Sequence, residues 1–179
     1  GMGVAYHKLK MVKEAIAWYE KAMESDPNYM PALNNLGVAY HHMNRREQGQ
    51  SYFLRAIELE DTYADSHLNL GLSYMENGRL EEARSEFLKV TKLKGAECLA
   101  YNLLGLSYLD DALEKALGFF EKALEADPKF AESHYNRGFV LSKLGKYKEA
   151  LKEMEKGMSL SPDYTTNRFK LGLGLHTDS

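Results

Sequence analysis

The sequence predicts an all-α protein, a stack of antiparallel helix hairpins, on three observations. The pairs Met2-Gly3, Leu36-Gly37, Leu70-Gly71 and Leu104-Gly105 recur every 34 residues, with Tyr6, Tyr40, Tyr74 and Tyr108 three residues after each Gly. A fixed period of that length marks stacked supersecondary units. Within each period, apolar and small residues fall at helical spacing in two blocks separated by a short polar turn, as in Gly71 to Tyr74, Asn77-Gly78, then Leu80 to Leu93. Finally, Asp26-Pro27, Asp127-Pro128 and Ser161-Pro162 close three of the second blocks, because proline disfavours helix in the residue before it and donates no amide.

The units follow in order. The first, residues 1–29, lacks its opening turn; the others are 30–63, 64–97, 98–130 and 131–164, and a further helix at 165–176 completes a single array over 1–179. Second helices open on acidic residues ahead of a small one, as in Glu81-Glu82-Ala83 and Lys148-Glu149-Ala150, where negative charge suits the helix dipole. Gly3, Gly37, Gly71, Gly105 and Gly138 are expected to face Ala15, Gly49, Ala83, Ala116 and Ala150 across each hairpin. Tyr19, Phe53, Phe87, Phe120 and Met154 are expected to pack between hairpins. The fourth unit is one residue shorter between Tyr108 and Ala116 and has no glycine there, so Leu109 to Ala112 must reverse the chain differently. Arg137, where a Leu is usual, is expected to snorkel from the packed seam.

Leu-Gly-x-x-Tyr, then Glu-Ala, then an aromatic, Ala and Asp-Pro at this period resemble the tetratricopeptide repeat over nearly the whole chain. The resemblance implies a right-handed superhelical solenoid of about five units with a concave groove lined by first helices. It also implies a non-catalytic scaffold that binds a partner peptide or helix and helps assemble a multiprotein complex. The candidate contacts are Asn34, Asn35, Val38 and His42 in the second unit and Asn69, Leu72 and Met75 in the third. The fourth contributes Asn102 and Leu106, the fifth Tyr135, Asn136 and Phe139. Asn35, Asn69 and Asn136 occupy equivalent places, and each carboxamide offers donor and acceptor groups to an extended backbone. Leu103 breaks this ladder. Val38, Leu72, Leu106 and Phe139 form an apolar strip beside it, suited to a peptide's side chains or an amphipathic helix. The subclass that grips chaperone C-termini needs Lys and Arg where this chain has Asp65 and Asn69, or Leu99 and Leu103, which argues against such a clamp.

Other classes have weaker support. A formal net charge of -3, with basic and acidic residues mixed, provides no stripe for nucleic acid. No apolar run approaches the ~20 residues that span a bilayer. The six His hold no metal-binding spacing, and His67 and His134, at matching repeat positions, read as hairpin-packing aromatics. Ser73 and Ser107 belong to the repeat pattern and are not nucleophile elbows, and Gly172-Leu173-Gly174 follows no strand. No enzyme activity, metal or cofactor is expected. The alternatives are the substrate-recognition arm of a larger enzyme, or a homo-oligomeric scaffold joined through Phe169, Leu171, Leu173 and Leu175. The single Cys98 fits a reducing compartment but also an exported domain, so the compartment is only weakly constrained and stays unknown, a cytoplasmic location being favoured with peripheral membrane or organelle association open.

Overall fold

A computed structural model describes the backbone of residues 2–161 and the side chains from residue 11 onward. The further helix expected at 165–176, with its apolar residues, lies outside the described residues. Every regular element among them is α-helical. The chain divides into two compact units, Gly1–Leu93 and Lys94–Ser179.

The first unit holds α1 (Met2–Ser25), α2 (Met30–His42), α3 (Arg46–Leu59), α4 (Ala64–Glu76) and α5 (Leu80–Val90). Each helix packs on the next, and the first helices α2 and α4 also touch. The second unit repeats the scheme with α6 (Glu97–Ser107), α7 (Leu113–Ala126), α8 (Ala131–Lys143) and α9 (Tyr147–Leu160), where α6 meets α8.

The hairpins close on glycine. A Cβ on Gly37, Gly71 or Gly105 would lie 2.3, 2.4 or 2.5 Å from a ring carbon of Phe53, Phe87 or Phe120. Each ring therefore sits against its own hairpin's first helix, where the sequence pattern suggested packing between hairpins. Gly49 approaches so closely that its Cβ would stand 2.7 Å from the Gly37 carbonyl oxygen, whereas Ala83 and Ala116 fit in α5 and α7.

Chain reversals are equally local. Asn44, Gly78 and Gly145 take φ of 60°, 73° and 76° just past a first helix. The next amide then returns to a carbonyl five residues back, Arg79 to Tyr74 at 2.9 Å and Lys146 to Leu141 at 2.9 Å, the Schellman closure. The shorter fourth unit uses no left-handed residue. There the Ala112 amide bonds the Tyr108 carbonyl at 2.9 Å, a tighter reversal one residue shorter. Between hairpins, Asp26 and Asp127 accept the Asn28 and Lys129 amides through Oδ1 at 3.0 and 2.9 Å, fixing the turn that Pro27 and Pro128 begin.

α1 departs from the expected pattern. Residues 2–25 form one helix of 24 residues, so the hairpin that would face Gly3 to Ala15 is not formed. The reason lies at Lys10, which occupies the place of Asn44, Gly78 and Gly145. A lysine strongly disfavours the left-handed conformation that ends a first helix, and the helix continues through it.

Candidate functional site

The inner face of the first unit is built from α2 and α4. Asn34 is buried on α2, and its Oδ1 accepts from Ser66 Oγ at 3.3 Å and from Asn69 Nδ2 at 3.0 Å, both on α4. This joins the two helices and spends one donor of Asn69. Asn69, so oriented, also lines the groove. One turn further along lies a cavity of about 210 Å³ lined by Val38, His41, His42, Phe53, Asn69, Leu72 and Glu76. Its polar rim gathers mixed charge: Glu76 Oε2 lies 3.4 Å from His41 Nε2 and 3.7 Å from Arg46 Nε, while neither nitrogen has a hydrogen-bond partner among the described residues. The site thus offers an apolar floor, one fixed carboxamide and a rim of mixed polar groups.

The second unit contains the same seam. Asn102 Oδ1 accepts from Ser133 Oγ and from Asn136 Nδ2, each at 2.9 Å. At the places of Val38, His41, His42, Leu72 and Glu76 stand Leu106, Leu109, Asp110, Phe139 and Lys143. Leu106 is half-buried against the Ala116, Phe120 and Val140 core, whereas Phe139 is 46% exposed with Lys143 Nζ 5.4 Å from its ring centre.

The sequence-derived contacts thus fall into three groups. Val38, His42, Asn69 and Leu72 line one cavity. Asn34 and Asn102 are buried acceptors behind Asn69 and Asn136, and Tyr135 lies 3.1 Å from where a Cβ on Gly157 would stand, inside the α8–α9 hairpin. Asn35 is exposed and Met75 half-buried, both outside the cavity. His41, Phe53 and Glu76 complete it; Phe53 reads from sequence as core alone.

Behind this face, two buried histidines tie the hairpins together. His67 Nε2 is 2.8 Å from the Asp61 carbonyl and its Nδ1 2.6 Å from Glu86 Oε2. His134 repeats this with Pro128 at 3.0 Å and Glu153 at 2.7 Å. A carbonyl only accepts, so Nε2 carries hydrogen, and each His–Glu pair shares a further proton. Burial alone would raise the Glu86 pKa, but hydrogen bonds from His67 and from Lys89, at 2.8 Å, outweigh it and hold the carboxyl below its ordinary value. Arg137 does more than snorkel: it donates to Glu153 at 2.6 Å and to Glu121 at 3.2 Å. Sequence spacing places His67 and His134 in register, yet misses the glutamates nineteen residues later because each pair lies across a hairpin. The Cys98 thiol is pushed up to about 11 by burial and then by Asp127, Glu132 and Glu97, so it is protonated at neutral pH and a poor nucleophile.

Stacked helix hairpins with a lined inner face define a helical-repeat interaction module. Tetratricopeptide-repeat models match residues 2–44, 31–63, 52–85 and 119–152. The chain belongs to the tetratricopeptide-repeat family, and its fold is an all-α helical repeat solenoid. Among solved structures it is similar to MamA, with a TM-score of 0.71 at 22% identity over 93% of this chain and 98% of that one. YrrB, described as a TPR protein with an unusual peptide-binding site, gives 0.63 at 21% identity over 93% and 86%. A chain of the Cut9–Hcn1 assembly gives 0.74 at 22%, covering 96% of this chain and 35% of that one. An uncharacterised protein of Methanocaldococcus jannaschii is 32% identical over 57 residues, which are 32% of this chain and 66% of that relative. Family and fold are those of protein-interaction scaffolds, typically non-catalytic.

Proposed function

We propose that this scaffold receives a short extended segment of a partner protein on its inner face and so brings that partner into an assembly. One apolar side chain of the segment enters the Val38–Phe53–Leu72 cavity, and the segment's backbone N–H donates to Asn69 Oδ1. The observation that carries this reading is the juxtaposition of the two: a carboxamide oriented by Asn34 at 3.0 Å, beside a cavity of about 210 Å³. A free asparagine would lose rotamer entropy on binding, whereas Asn69 is already fixed, which favours affinity through preorganisation. The likeness to YrrB, a protein described as having a peptide-binding site, supports the same class of ligand.

A displayed random-peptide library tests it. The wild-type chain should enrich peptides with one apolar anchor. Leu72→Asp should abolish enrichment of those peptides whose anchor has uncharged neighbours, and Asn69→Leu should weaken their binding about tenfold, equivalent to ~1.4 kcal/mol, with helicity by circular dichroism retained. Enrichment of the same peptides by folded Leu72→Asp protein would remove the cavity from the binding account.

A further inference from the structure

The second helices α3 and α5 bury a small–aromatic–small or apolar triplet, Gly49, Phe53 and Ala56 in α3 and Ala83, Phe87 and Val90 in α5. The equivalent triplet in α1, Ala15, Tyr19 and Ala22, is only half-buried. On the same side Met11 is 56% and Trp18 71% exposed. Trp18 stands where α5 carries Glu86, the residue that His67 covers from the first helix of its hairpin. The adjoining side of α1 is satisfied, with Ile16 in a cluster with Leu36, Ala39 and Tyr40 of α2 against which Tyr19 also packs, so the open side is the one that carries Met11, Ala15, Trp18 and Ala22. The open side is therefore the one a hairpin's first helix normally covers.

The chain does carry that first helix. Gly3 and Tyr6 are in register with Gly37 and Tyr40, but they lie on the same continuous helix as the face they would cover. Twelve residues of helix hold Gly3 and Ala15 about 18 Å apart along the axis, so the segment cannot reach its own partner face. A second copy can supply it. Two such helices laid antiparallel set the first half of each against the second half of the other. Charge favours that arrangement: residues 2–10 contain Lys8 and Lys10 and no carboxylate, whereas residues 11–25 contain Glu14, Glu20 and Glu24 against Lys13 and Lys21.

We propose that the uncovered face of α1 is a homodimer interface, occupied by the first half of α1 from a second copy in a helix-swapped, two-fold pairing. The contact reproduces between chains the hairpin that Lys10 prevents within one, so it needs no new surface.

Sedimentation velocity over a concentration series decides this. The wild-type chain should show a monomer–dimer equilibrium. Ala15→Arg, on a half-buried face, should weaken dimerisation at least about tenfold while remaining folded by circular dichroism. Lys10→Gly should do the same by another route, because it restores a residue that can end the first helix and close the hairpin within the chain. A wild-type chain that stays monomeric, or dimerisation of either variant with wild-type affinity, overturns the proposal.

Discussion

The buried pairs His67–Glu86 and His134–Glu153 show what a polar group contributes inside a repeat. Each imidazole bonds the carbonyl of a turn preceding its helix and a glutamate on the facing helix, so it ties the turn and both hairpin helices. Glu86→Gln can still donate an amide N–H to the neutral ring nitrogen but loses the charge-assisted pair with its shared proton, and should cost about 1–2 kcal/mol at neutral pH. The pH dependence follows from the lowered Glu86 pKa. A carboxyl held below its ordinary value contributes stability above its unfolded pKa, near 4.5, and loses it as pH falls through the lower folded value. Thermal unfolding should therefore separate wild type from Glu86→Gln widely at pH 7 and bring them together in acid. An equal gap at every pH would mean that the charge on Glu86 contributes nothing.

At the scale of elements, one substitution should have opposite signs at two helical glycines. Gly71 faces the Phe87 ring, and an added Cβ would sit 2.4 Å from Cε1 of a fully buried side chain. Gly118, within α7, has no heavy atom within 4 Å of where its Cβ would stand. Both changes to alanine gain up to ~1 kcal/mol of helix propensity. At Gly71 the overpacked ring outweighs that gain, with a net cost of about 1–3 kcal/mol; at Gly118 the gain stands alone. Urea unfolding of the two variants should give midpoints on either side of wild type. The sequence makes the Gly71 constraint legible, since its glycine recurs in register, while Gly118 has no counterpart in the pattern. It also contains the cause of the continuous α1, Lys10, although a period that matches at Gly3, Tyr6 and Ala15 conceals a single missing turn residue. Repetition reports which residues face each other; whether they can meet depends on the turn, through a residue that accepts positive φ or, as at Tyr108 to Ala112, a shorter reversal that needs none.

At the scale of the whole molecule, two descriptions of the repeat coexist. The backbone period is about 34 residues, but Asn34, Ser66, His67, Asn69 and Glu86 recur as Asn102, Ser133, His134, Asn136 and Glu153, at spacings of 67 or 68. The polar machinery thus has a period of two hairpins, and one copy lies in each compact unit. This longer period was in the sequence, yet a ladder drawn from Asn35, Asn69 and Asn136 alone runs across it. It aligns the exposed Asn35 with two donors and passes over the buried acceptors Asn34 and Asn102, whose role emerges only when neighbouring first helices are brought together. The duplicated seams carry diverged surroundings, with Glu76, His42 and Leu72 in one unit answered by Lys143, Asp110 and Phe139 in the other. Glu76 has the Arg46 guanidinium 3.7 Å away to offset its charge, whereas Lys143 lies against the exposed Phe139 ring. The second unit should accordingly prefer peptides with an aromatic or large apolar residue beside an acidic one, and the first peptides with an uncharged neighbour. Peptide selection on the full chain should yield two classes. Leu72→Asp should remove only the first, and Lys143→Glu only the second, with the acidic class also weakening as salt is raised. Loss of both classes from either substitution would overturn the assignment of one class to each unit, and the two-hairpin period would then describe stability alone.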